Sequence, residues 1–173
     1  MATGLLIVFT GDGKGKTTAA LGMALRASGQ HLRVLILQFI KGGWSYGELS
    51  AVPRLESVAI EPMGTGFTWT KDSLEEDRKL AEAGWRRALE AINGGAHDLV
   101  ILDELNIVLR YGLLPTAQVI AGLQARPPEV HVVVTGRGAP EALLAAADLV
   151  TEMRAVKHPY REQGIGAQPG IEY

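Results

Sequence analysis

The stretch Gly11-Asp-Gly-Lys-Gly-Lys-Thr-Thr18 lies directly between an apolar run, Leu5 to Phe9, and a helix-like segment, Ala19 to Ser28. A glycine-rich turn between a buried strand and a helix start is a phosphate cradle. Glycines 11, 13 and 15 can take backbone angles closed to other residues, so successive N–H groups converge on one anion while the following helix adds its positive end. Lys16 contributes a mobile cation for the outer phosphates, and the hydroxyl of Thr17 is placed to complete the coordination of a phosphate-bound magnesium ion. The stretch therefore predicts a nucleoside triphosphate site that also includes Asp12 and Thr18. A turn that merely linked strand to helix would need neither the two interleaved lysines nor the threonine pair. The usual eight-residue pattern opens with a glycine where this chain has Thr10, but its Gly-Lys-Thr ending is intact. Lys14 either touches a phosphate or keeps the loop solvated; both readings stand.

A chain of 173 residues, 47% of them hydrophobic, can bury a substantial core and falls in the single-domain range, so one domain over 1–173 is expected. A formal charge of −2 argues against the broad basic face of a dedicated nucleic-acid binder. The absence of cysteine removes disulfides, thiolate metal sites and cysteine nucleophiles, and permits a reducing cytoplasm. The opening Met-Ala-Thr-Gly shows neither a basic leader nor a long apolar segment, so export and membrane insertion are not expected.

Apolar runs at Leu5 to Phe9, Val34 to Phe39, Leu99 to Leu102, Val130 to Val134 and Leu149 to Met153 alternate with helix-like segments. That alternation predicts an α/β fold, a parallel sheet with helices on both faces. Ser73 and Glu76 have the spacing of a capping box, and Ala81, Trp85, Ala88, Leu89 and Ile92 share one helical face, which makes Trp85 a core residue. Pro115 and Pro140 suit first helical turns, and Lys157 to Tyr173 is polar and rich in glycine and proline. There is no internal repeat and no linker-like stretch.

Asp98-Leu-Val-Ile-Leu-Asp103-Glu104 places two carboxylates just past four apolar residues, at the sheet edge where ligands of parallel sheets bind. Asp103 and Glu104 can face the magnesium ion there, although Asp103 is also a candidate helix N-cap for Glu104 to Tyr111. Val130 to Thr135 followed by Gly136-Arg137-Gly138 ends another strand at the same edge, and Arg137 can fork a phosphate or simply occupy a surface turn. These groups stabilise charge wherever it develops on a triphosphate. Transfer of the terminal phosphoryl group and displacement of the whole triphosphate from the ribose carbon both remain open.

The segments peculiar to this chain are Gln38-Phe-Ile-Lys41-Gly42 with Trp44 and Gly47-Glu48, Gly64-Thr-Gly66-Phe67-Thr68-Trp69, Thr135-Gly-Arg-Gly138, Val156-Lys-His158 and Gly170-Ile-Glu-Tyr173. With the phosphate loop and Leu102-Asp-Glu-Leu105, this set closely resembles the corrinoid adenosyltransferase family from Gly4 to Tyr173. The resemblance implies a RecA-like P-loop fold with a mostly parallel sheet. It also implies transfer of the 5′-deoxyadenosyl group of MgATP to the Co(I) centre of a reduced corrinoid (cobalamin or cob(I)yrinic acid a,c-diamide), with release of triphosphate, in adenosylcobalamin synthesis or salvage.

The nucleophile is then cobalt, and the ATP chain runs in reverse along the loop, both by resemblance. Lys16 matches the main charge partner of the triphosphate, Thr17 and Glu104 match metal positions, and Asp103 is a weaker metal candidate. Phe67 and Trp69 match hydrophobic residues that displace the lower cobalt ligand and so ease reduction, whereas from their spacing alone both read as ordinary core aromatics. Arg26 falls at a position near ATP, although a surface salt bridge also explains it. Two departures stand out: relatives carry an N-terminal extension that covers a partner's active site, and asparagine is common where this chain has Asp12. The resemblance further implies a cytoplasmic homodimer supplied with electrons by a flavoprotein or similar donor. The alternatives are a RecA-like ATPase or nucleotide-gated module with a macromolecular partner, and a carrier of finished corrinoid.

Overall fold

The computed structural model describes residues 3–42, 46–64, 66 and 74–173. In chain order the elements are β1 (Leu6–Thr10), α1 (Lys16–Ser28), β2 (Val34–Gln38), α2 (Gly47–Ala51), β3 (Val58–Pro62), α3 (Glu75–Asn93), β4 (Leu99–Asp103), α4 (Leu105–Arg110), α5 (Thr116–Gln124), β5 (His131–Thr135), α6 (Glu141–Ala146), β6 (Leu149–Glu152) and α7 (Pro159–Gln163). The six strands pair in parallel in the order β3-β2-β4-β5-β1-β6. This is the α/β architecture that the alternating pattern predicts, and every carboxyl end lies along one edge. One strand, β5, separates the strand that leads into the phosphate loop from the strand that ends in Asp103.

Successive side chains of a strand point to opposite faces, and the core divides accordingly. Leu6, Val8, Leu35, Leu37, Val100, Leu102, Val132 and Val134 pack with the buried faces of α3, α4 and α5. Ile7, Phe9, Val34, Ile36, Ile101 and Val133 pack with Ala20, Ala24 and Ala27 of α1. The small residues of α1 let that helix lie close to the sheet, which brings its amino end over the carboxyl ends of the strands. Trp85 is 3% exposed within the first cluster, as its helical face predicts. Truncating a fully buried residue of this cluster such as Ile92 costs about 2–5 kcal/mol.

Some expectations need correction. The strand Val58–Pro62 was not anticipated: it is an edge strand with only Val58 buried, so it lacks a continuous apolar run. Helix α1 begins at Lys16, three residues earlier than its apolar pattern, because the loop's last residues form the first turn. Leu74 stands at the N-cap of α3 with no side-chain cap, which puts Glu76 at the second helical position and not the third; Ser73 lies outside the described residues. Pro115 and Pro140 stand at the N-cap positions of α5 and α6, one residue ahead of the first turn, with extended backbone.

Candidate functional site

Two of the three loop glycines do what the sequence suggests: Gly11 and Gly15 have φ of 95° and 110°, in the left-handed region. Gly13 serves a different need. Its N–H donates to the carbonyl of Met153 at 2.7 Å, and a Cβ there would come within 2.7 Å of Met153 O and of the Arg154 carbonyl carbon. The exit of β6 thus braces the loop from behind, and one N–H that the sequence would assign to phosphate is spent on that brace. The Lys16 ammonium donates to Gly11 O at 2.8 Å and Gly13 O at 2.5 Å. Its burial lowers its pKa, and repulsion from Arg137 adds to this, against the pull of Glu104 and Asp12. Lys14 forms an ion pair with Glu172 at 2.9 Å.

Asp103, the last residue of β4, is 1% exposed and accepts from four donors. Its Oδ1 receives the hydroxyls of Thr17 at 2.8 Å and Thr135 at 2.6 Å; its Oδ2 receives Gln38 Nε2 at 3.2 Å and Lys41 Nζ at 3.0 Å. The strand register makes this possible, since Gln38 and Asp103 are direct partners at the ends of β2 and β4. Asp103 is not the N-cap of α4. That position belongs to Glu104, which sits at φ 65° with its N–H held by Thr135 Oγ1 at 3.0 Å. A left-handed non-glycine residue costs of order 1 kcal/mol, and here it turns the Glu104 carboxylate away from the sheet and into the open site. Burial raises the pKa of Glu104, as does neighbouring Asp103, while Lys41, Lys16 and Arg137 oppose the rise.

The phosphate loop, Glu104 and Arg137 line a cavity of about 850 Å³. Its polar lining includes Lys14, Lys16, Thr17, Thr18, Lys41, Glu104 and Arg137 with Gly13 and Gly15, and Tyr46, Glu48, Ala51, Val52, Leu55 and Gly170 to Tyr173 line it as well. Gly11 and Asp12 are not part of this lining, and Asp12 is exposed. Arg26 lies in the last turn of α1, exposed, and does not line the cavity. Trp44, Phe67 and Trp69 lie outside the described residues.

Several site residues carried no assigned role in the sequence. Gln38 is fully buried and bridges Asp103 to Glu48, whose Oε1 accepts its Nε2 at 3.0 Å. Asn106, also fully buried, donates to Phe9 O at 3.3 Å and Gly136 O at 2.9 Å, tying the end of β1 to the turn that carries Arg137. An asparagine inside the otherwise apolar run Leu105-Asn-Ile-Val-Leu109 was the available signal for it.

The residues fit a nucleotide-bound magnesium ion. Asp103 accepts the hydrogen bond of the Thr17 hydroxyl, which leaves the oxygen lone pairs of Thr17 free, and the Glu104 carboxylate faces the same cavity. Among the described residues no three acidic or histidine side chains cluster as a metal site. Magnesium held mainly by phosphate and water oxygens needs only one or two protein oxygens.

Comparison with known proteins places the whole chain in one family. The family model described as ATP:corrinoid adenosyltransferase BtuR/CobO/CobP matches residues 2–173. A corrinoid adenosyltransferase of Pseudomonas aeruginosa is 47% identical over 171 residues, covering 98% of this chain and 84% of that protein. The Salmonella typhimurium corrinoid adenosyltransferase CobA is 44% identical, and the Escherichia coli K12 corrinoid adenosyltransferase 42% identical; each alignment covers 98% of this chain and 86% of the relative.

Proposed function

The chain belongs to the ATP:corrinoid adenosyltransferase family, and from that premise we propose that it transfers the 5′-deoxyadenosyl group of ATP to the cobalt of a reduced corrinoid, releasing triphosphate, in cobalamin biosynthesis. The observation that carries this reading is the match of the whole chain to the family together with a cavity whose polar wall is the phosphate loop, Glu104 and Arg137. The C5′–O bond of ATP breaks as the electron pair of Co(I) forms the Co–C bond, and the departing oxygen takes the other pair. No proton need be removed from this nucleophile, so a general base has no task.

The chain's work is then to hold the tail and stabilise its growing charge. Lys16 exchanges its two loop carbonyls for phosphate oxygens, Arg137 forks another, and the free loop N–H groups with the amino end of α1 complete the cradle. Magnesium, held by Thr17 and Glu104, supplies further neutralisation of the leaving triphosphate when bound. Asp103 orients Thr17 and is not itself a ligand, because each of its oxygens already has two donors. Phe67 and Trp69 displace the lower ligand of the corrinoid substrate and favour reduction of Co(II). A flavoprotein donor, a homodimeric assembly and a cytoplasmic location belong to the same proposal. Among the described residues no helix is long and apolar enough to cross a membrane.

The test is product analysis with chemically reduced cobalamin and MgATP. A cobalt–carbon bond formed with one triphosphate is expected; ADP and phosphate as the only products, with the corrinoid unalkylated, reject the proposal and favour a RecA-like ATPase.

A further inference from the structure

The Lys41 ammonium, largely buried and without a part in the chemistry above, has three groups converging on it. It bonds Asp103 Oδ2 at 3.0 Å, faces Glu48 Oε1 at 3.4 Å and lies 5.0 Å from the centroid of the Tyr46 ring. Two carboxylates and one ring face thus surround the ammonium. Its surroundings are two carboxylates whose side chains are 1% and 12% exposed, which would repel one another without a cation between them.

The backbone places Lys41 there at a cost. Ile40 has φ of 66°, an outlier for a β-branched residue. It is held by close packing, since a Cβ on Gly64 would come 2.5 Å from Ile40 O, and the Gly66 N–H donates to that carbonyl at 2.9 Å. The Lys41 N–H then closes back on Phe39 O at 2.6 Å. Strain retained by tight packing points to a position that matters.

The bonds run in series. Asp103 holds the Thr17 hydroxyl through Oδ1 while Lys41 and Gln38 hold Asp103 through Oδ2. Without Lys41, Asp103 keeps three neutral donors and loses its one charged partner, so the carboxylate is held less firmly. Thr17 could then donate its proton to a phosphate oxygen, and its lone pairs would leave the metal's direction. Lys41 also faces Glu48 of α2 at 3.4 Å, and both residues line the cavity.

We propose that Lys41 is a positioning residue: through Asp103 it orients the Thr17 hydroxyl for a nucleotide-bound divalent cation. This rests on Thr17 being a metal position.

The experiment is calorimetric titration of the protein with ATP, once with magnesium and once with chelator, in wild type, Lys41→Met and Lys41→Arg, each first checked by thermal melting. Wild type should bind the magnesium complex more tightly. Lys41→Met should weaken the magnesium complex about tenfold, the loss of one charge-assisted contact, leave metal-free ATP unchanged and be largely rescued by Lys41→Arg. Unchanged binding of the magnesium complex, or equal weakening of both forms, overturns the proposal. If Lys41→Met does not fold, Glu48→Gln takes its place, with a smaller loss again confined to the magnesium complex; equal loss in both forms overturns it. A wild type indifferent to magnesium removes the metal reading of Thr17 and the proposal with it, and is distinguishable because it involves no Lys41 variant.

Discussion

Thr135 at the end of β5 is fully buried, and its hydroxyl sits between the two carboxylate residues of the site. It donates to Asp103 Oδ1 at 2.6 Å and accepts the Glu104 N–H at 3.0 Å. Thr135→Val keeps the shape and deletes both bonds. Loss of a hydrogen bond to a charged group costs about 1.5–3 kcal/mol, and a backbone N–H left without a partner adds about 1–3 kcal/mol. The new buried methyl offsets of order 1 kcal/mol, for a net destabilisation of roughly 1.5–5 kcal/mol. At about 2–4 °C per kcal/mol for a domain of this size, Tm should fall by roughly 3–20 °C. Thr135→Ser keeps the hydroxyl and loses only a methyl, about 1 kcal/mol. Urea titration with a check for constant m should order the proteins as threonine, serine, valine. Turnover should fall further in the valine protein than stability explains, because Glu104 loses the bond that fixes its left-handed backbone. A valine protein as stable as wild type, or a serine protein less stable than valine, would show that this hydroxyl does not organise the site.

Gly13→Ala should destabilise by about 1–3 kcal/mol, because the added Cβ meets backbone and not a movable side chain. Gly22→Ala, with nothing within 4 Å of its Cβ in the helix interior, should stabilise by about 0.5–1 kcal/mol; thermal melts of the pair check both signs. His97 and Asp98 give acid unfolding two stages. Burial, then Arg87 and Arg33, lowers the His97 pKa, so its contribution is present above about pH 6.5 and is lost as pH falls from there toward its lower folded value. The Arg33 hydrogen bond lowers the Asp98 pKa, so its contribution is present above about pH 4 and is lost as pH falls toward its folded value. Melting curves of His97→Gln and Asp98→Asn should each lose their own stage, and identical pH profiles would contradict the assignment. Lys16→Ala and Glu104→Ala should impair turnover with any acceptor, whereas Trp69→Ala should chiefly slow reactions that start from Co(II). Equal slowing of pre-reduced Co(I) by Trp69→Ala removes its role in ligand displacement.

Much of the fold is legible in the sequence because the four inner strands β1, β2, β4 and β5 are buried on both faces and read as apolar runs. β3 escapes because, at the sheet edge, Glu61 and Pro62 complete a five-residue strand with one buried side chain. Lys16, Thr17, Glu104 and Arg137 are legible from residue type and from their places after strands, and the structure brings them to one cavity. Gln38 and Lys41 are different. Their link to Asp103 depends on strand register across 65 residues of chain for Gln38, and on a strained turn for Lys41. Periodicity carries neither. The purpose of Gly13 is equally hidden, since what it must admit is the backbone of Met153 and Arg154.

The decisive measurement follows the fate of the ribose carbon. ATP labelled with ¹³C at C5′ is given to the wild-type protein with magnesium and chemically reduced corrinoid, and the products are read by NMR alongside ion chromatography of the phosphates. Label bonded to cobalt, matched one to one by inorganic triphosphate, is the predicted result. Label retained in ADP, with orthophosphate as its companion and the corrinoid unlabelled, would contradict it.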